Sequence, residues 1–138
     1  MARPLWLLAA ACLCLWSRAG VQAAESSDYT GGYLHCLGSS NAKVGSTAAL
    51  ECVNAELALQ EQQLDLAYRR LRYAYPEASQ SKLDNAQALW LKYREAHCDA
   101  DWEVDPRLDA LPEAFCRLDD TVSRRKFLEG ILKAWIVE

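Results

Sequence analysis

Four cysteines, two histidines and a few carboxylates at helical spacing are the residues of this chain that could do chemistry. Cys36, Cys52, Cys98 and Cys116 could act as nucleophiles, metal ligands or disulfide halves, and His35-Cys36 and His97-Cys98 set an imidazole beside two of them. A zinc site would draw on those two pairs with Cys52 or Cys116. Zinc motifs space their ligands as Cys-x-x-Cys or His-x-x-x-His, and neither pattern occurs. Glu61 and Asp65 stand one helical turn apart and could serve as general acid and base, with Arg94 and Gln87 beside them. The preferred reading of those four is a structural polar cluster that fixes helix register. No nucleophile elbow, phosphate loop or dinucleotide fingerprint is present, so no catalytic, cofactor or metal assignment follows.

The redox state of the cysteines depends on where the chain goes. Arg3 followed by the apolar run Leu5–Trp16, and then Val21-Gln22-Ala23, reads as a cleavable signal peptide over residues 1–23, cut before Ala24. Twelve apolar residues are too few to cross a bilayer core of ~30 Å, so no stable membrane insertion is expected after cleavage. Cleavage would remove two arginines and no acid, taking the formal charge from −4 to −6. It would also remove Cys12 and Cys14. The four remaining cysteines then read as two disulfides in a periplasmic or secreted protein. A bridged cysteine has no thiolate, which counts against both zinc and Cys–His catalysis.

The elements that position these residues are helical. Residues 24–45 are rich in Ser, Gly and Asn, with turn signals at Tyr29-Thr30-Gly31-Gly32, and read as an irregular arm. Ser46 or Thr47 can cap a helix whose apolar stripe (Leu50, Val53, Leu57, Leu64, Tyr68, Leu71, Tyr75) runs until Pro76 stops it. A second helix is expected over about 81–99, capped by Ser79 or Ser81. Its two adjacent stripes are Leu83, Ala86, Trp90, Tyr93 and His97, and Leu83, Gln87, Trp90, Arg94 and Cys98. An acidic loop over 99–111 leads to a third helix with Pro112 in its first turn and Phe115, Leu118, Val122, Leu128, Ile131 and Trp135 on its apolar face. Thr121 could instead cap a separate last helix. Trp90 and Trp135 read as core. The fold class is all-α: an antiparallel hairpin plus a third helix, stapled by two disulfides.

With the hairpin turning near Ala78, Glu61 lies 17 residues before the turn and Arg94 lies 16 after it, so they should sit at similar heights. Arg94 can then pair with Glu61 or Asp65. Cys52 and Cys98 are offset by six residues, or ~9 Å, beyond the ~4.4–6.8 Å Cα separation of a disulfide. Local pairing, Cys36–Cys52 and Cys98–Cys116, is preferred. Cys36–Cys98 with Cys52–Cys116 is the alternative.

An acidic pI of about 5.2 argues against a nucleic-acid or anionic-membrane binder, which needs a basic face. A basic protein partner fits better. Trp102 in the acidic loop either covers the end of the hairpin or anchors such a partner, with Glu103 and Asp105 steering it.

The helix and cysteine pattern resembles the LprI-like family of small exported lysozyme inhibitors. The points of resemblance are Cys36, Glu51-Cys52, the run Glu61-Gln62-Gln63-Leu64-Asp65-Leu66-Ala67-Tyr68, and above all Ala86-Gln87-x-x-Trp90-x-x-Tyr93-Arg94-x-x-x-Cys98. Cys116 and Thr121-x-x-Arg124-x-x-x-Leu128 complete it, so the likeness covers about residues 36–132 and makes 46–138 an LprI-like helical domain. Many members carry Gly-Gly-Ser between the last two cysteines, where this chain has Asp101-Trp102-Glu103-Val104-Asp105. The resemblance implies a non-enzymatic inhibitor of a lysozyme-type muramidase with a basic lysozyme as partner. The alternatives are an envelope interaction module, or a hydrolase acting through Glu61 and Asp65.

Overall fold

The protein is described by a computed structural model over residues 28–39, 42–43, 45–99 and 110–136. Four helices follow in order: α1 (Gly31–Gly38), α2 (Thr47–Ala74), α3 (Glu77–Cys98) and α4 (Ala110–Ile136). There is no strand among the described residues, and none of their helices is long and apolar enough to cross a membrane.

The arm is not irregular throughout. Tyr29-Thr30-Gly31-Gly32, which reads as a turn, is the cap and first turn of α1: the Thr30 hydroxyl accepts the Tyr33 N–H at 3.2 Å. Eight residues with glycine at both ends are too short to be helical alone. Tertiary contacts hold them, through buried Tyr33 and the Cys36–Cys52 bridge.

The hydroxyl of Ser46 caps α2 by accepting the Ala49 N–H at 3.1 Å. Gly45 precedes it at φ 81°, a conformation that suits glycine and strains other residues. Tyr75 and Pro76 suffice as the turn, and α3 starts at Glu77 rather than near 81. Pro76 has its φ already set for entry into a helix, and Glu77 places a negative charge in the first turn. Ser79 and Ser81 therefore lie within α3. Helix α4 is continuous. The Thr121 hydroxyl donates to the Arg117 carbonyl one turn back, at 2.7 Å, so Thr121 is an interior residue and not a cap.

Helices α2 and α4 run parallel, with α3 antiparallel to both. One apolar cluster joins Ala49, Cys52 and Val53 of α2 to Leu111, Ala114, Leu118 and Val122 of α4, under Tyr33 of α1. A second joins Leu64, Ala67 and Leu71 of α2 to Leu83 of α3 and Leu128 of α4. The closest helix pair is α2 with α4, not the α2–α3 hairpin. Apolar residues fill the α2–α4 seam, whereas Glu61, Tyr68, Gln87 and Arg94 stand between α2 and α3. On α3 the stripe containing Arg94 and Cys98 faces inward, and Tyr93 is exposed. Trp90 is partly buried beneath the guanidinium groups of Arg94 and Arg124. Trp135 is not core: it is 52% exposed, because the bundle ends there and its ring covers Tyr75 from one side.

The cysteines pair locally, Cys36 with Cys52 and Cys98 with Cys116. Proximity along the chain decides it, since each bridge joins a helix to the element next to it in sequence.

Candidate functional site

The two apolar clusters are separated by polar layers at mid-height. On the α3 side, Arg94 is almost wholly buried and its Nη1 donates to Glu61 at 2.8 Å and to the Thr121 hydroxyl at 2.9 Å. Asp65 does not join them. It is exposed and pairs with Arg69, one turn along its own helix, at 2.6 Å. Gln87 is also elsewhere, accepting from Arg124 Nε at 3.0 Å. The cluster of four therefore separates into an Arg94–Glu61–Thr121 triad and two independent pairs. Glu61 and Asp65 border a groove of about 280 Å³ between α2 and α3, each directed to a different guanidinium.

On the opposite side lies a network that the stripe reading missed. Glu56 is 2% exposed and its carboxylate accepts from the Thr30 N–H (2.9 Å), the Thr30 hydroxyl (2.5 Å) and Gln60 Nε2 (2.7 Å). Arg125 Nε donates to Gln60 Oε1 at 2.8 Å, and Lys126 pairs with Asp28 at 2.7 Å. These bonds strap the segment 28–38 onto α2 and α4. Tyr29 adds a bond to Asp119 at 2.6 Å. Burial and that carboxylate raise the Tyr29 hydroxyl well above its ordinary range, and burial pushes Tyr33 up to about 12. The one hint in the sequence is that Glu56 and Gln60 share a helix face with Val53 and Leu64.

The lower end of the bundle, where α3 stops and α4 begins, is where charge and disulfide meet. Between residues 95 and 120 the chain carries nine acids and two arginines. Arg117 holds three of those acids: Asp99 at 2.6 Å, Glu95 at 3.0 Å and Glu113 at 3.0 Å. Its guanidinium is raised above its ordinary value, chiefly by the hydrogen bond to Asp99. The Cys98–Cys116 bridge adds a covalent tie. Both roots of the segment 100–109 are thus fixed to one another. Trp102, Glu103 and Asp105 lie outside the described residues, as does 1–23. The opposite end has the reverse charge: residues 69–82 and 124–133 together carry eight basic residues and two acids.

A further grouping forms at the lower end. His97 Nδ1 lies 3.0 Å from Asp120 Oδ2 and 3.8 Å from Cys116 Sγ, and Cys98 Sγ lies 3.8 Å from the same Asp120 oxygen. Asp120 was not anticipated. Its position one turn after Cys116 on α4 was the available signal.

Compared with protein families, residues 36–128 match the model described as lysozyme inhibitor LprI. The chain belongs to the LprI family. The match opens on the first bridged cysteine, spans both disulfides and the Arg94–Glu61–Thr121 triad, and closes on Leu128 of the second apolar cluster. It supports a lysozyme-inhibitor-like role at the level of the LprI family, a non-catalytic kind of protein. No curated protein and no solved structure matches the chain.

Proposed function

We propose that this protein is an exported inhibitor of a lysozyme-type muramidase, acting in the periplasm or outside the cell, and that it binds through its acidic lower end. The observation that carries the reading is the LprI family match over both disulfide-bonded regions. Charge supports the choice of surface. Host lysozymes are commonly basic, and the excess of acid between residues 95 and 120 would steer such a partner to this end. An inhibitor needs no acid or base of its own. It needs a rigid frame presenting a segment, because ordering that segment before binding lowers the entropic cost of association. The Cys98–Cys116 bridge and the Arg117 ion pairs are such a frame at the roots of 100–109. Trp102, Glu103 and Asp105 would make the contacts, the indole supplying buried area and the carboxylates orientation. Residues 1–23 would be the signal peptide that brings the chain to its partner.

The test is to titrate the oxidised protein into a c-type lysozyme lysing cell walls, at low and at physiological salt. The proposal expects dose-dependent inhibition near stoichiometry that survives physiological salt. No inhibition across several basic lysozymes would sink it and leave an envelope interaction module as the reading.

A further inference from the structure

An imidazole, a carboxylate and the two bridged sulfurs converge at the Cys98–Cys116 disulfide. His97 and Cys98 come from the last turn of α3, and Cys116 and Asp120 from one face of α4. One ligand atom from each, Nδ1, two Sγ and a carboxylate oxygen, lies within 4.8 Å of all the others. Three of the five non-bonded separations, 3.0, 3.8 and 3.8 Å, lie near the edges of a tetrahedron, and the other two lie within 4.8 Å. Zinc with ligands at ~2.0–2.3 Å has donor–donor edges of about 3.2–3.8 Å. The His97 ring is oriented by stacking on Tyr93, with centroids 5.1 Å apart, and is itself solvent-accessible. Cys98 closes the site from the interior at 1% exposure. Among the described residues, no comparable set surrounds Cys36–Cys52.

We propose that Cys98, Cys116, His97 and Asp120 form a tetrahedral zinc site when the Cys98–Cys116 disulfide is reduced. In the oxidised protein the two sulfurs are bonded to each other and offer no thiolate, so only the imidazole and the carboxylate remain. A small dithiol reductant opens the bridge. Its first thiolate attacks the more accessible Cys116 sulfur and expels Cys98, and its second thiol then displaces Cys116 as the reductant closes to a cyclic disulfide. The protein gains two thiols, and the reductant gives up the two protons and two electrons that make them. Zinc then displaces one proton from each thiol and is held by two thiolates, one neutral imidazole nitrogen and one carboxylate oxygen, a donor set suited to this borderline metal. The site reads the redox state of its surroundings: bridge when oxidised, metal when reduced. Either form ties the end of α3 to the start of α4.

The experiment uses the whole protein, reduced with a dithiol, freed of metal with a chelator and titrated with cobalt(II) and then zinc. The proposal expects one cobalt per chain with the intense visible bands of tetrahedral coordination and thiolate-to-cobalt charge transfer, displaced by zinc. The oxidised protein should give neither. H97A and D120N should each weaken zinc binding at least about tenfold, since even outer-shell partners matter that much. Weak octahedral cobalt spectra, or affinity unchanged in both variants, would overturn the site, the latter because any cysteine pair would then suffice. If the reduced chain loses helicity by circular dichroism, one equivalent of zinc should restore it, and failure to do so would also overturn the site.

Discussion

The two ends of this bundle are held by different means. At the hairpin turn, Leu64, Leu71, Leu83 and Leu128 pack into an apolar cluster. Cross-ties there are non-covalent among the described residues, such as Asp84 with Tyr68 (2.6 Å) and Arg72 (2.9 Å). At the lower end, both disulfides, the α1 strap and the Arg117 cluster fasten segments with far weaker helical tendency of their own. Both ends have an apolar cluster, and the cross-links stand where local helical propensity is short, namely at a helix of eight residues and at the roots of a long acidic connection. The same end gathers the negative charge. Packing serves both ends, and the lower end adds covalent ties and charge to it.

Breaking the packing at the hairpin end should have the largest effect. Leu71→Ala removes a fully buried side chain between α2 and α4 and should cost about 2–5 kcal/mol, read from chemical denaturation. Replacing Cys36 and Cys52 together by serine should cost about 2–4 kcal/mol. It should also raise amide exchange in 28–38 well before exchange near Leu71, which separates the two ends directly. Arg94→Ala leaves Glu61 and the Thr121 hydroxyl without their shared donor and should cost about 1–3 kcal/mol. A thermal melt unchanged within error would show that the triad is not structural. The strap has an alkaline signature. Tyr29 and Tyr33 are raised in the folded state, so their contribution is fully present below the unfolded tyrosine value of about 10 and is lost as pH rises toward about 12. Tyr29→Phe should shallow that loss, followed by stability measurements from pH 9 to 12. The smallest effect belongs to Asp65→Ala, within about 0.5 kcal/mol, because its pair with Arg69 is exposed on both sides.

Much of this was legible in the sequence, and particular residues show why. Pro76, the leucine stripe of α2 and the inward seam Leu83–Arg94–Cys98 are periodic signals that any helix must obey. Equal heights about the turn brought Arg94 opposite Glu61, but could not choose between carboxylates one turn apart. The choice rests on side-chain direction, and Asp65 points to Arg69 instead. Helix α1 was hidden because its stability comes from Thr30, Tyr33 and Cys36 meeting α2 and α4, not from its composition. The Glu56–Gln60–Arg125 layer was hidden for a related reason: polar residues on a core-facing stripe are recognisable only once their partners 26 to 97 positions away are known. Trp135 lies on the apolar stripe, yet the bundle ends there and exposes it.

The proposed inhibition depends on the acidic end of the molecule meeting a basic lysozyme. Its most direct test compares lysozyme inhibition by the oxidised protein with two variants. One carries Trp102→Ala, Glu103→Ala and Asp105→Ala, and the other carries Arg69→Ala and Arg70→Ala at the opposite end. The predicted result is inhibition by the parent, a loss of at least about tenfold in the first variant, corresponding to about 1.4 kcal/mol, and no change in the second. Equal inhibition by the parent and the first variant would contradict the assignment of the acidic end.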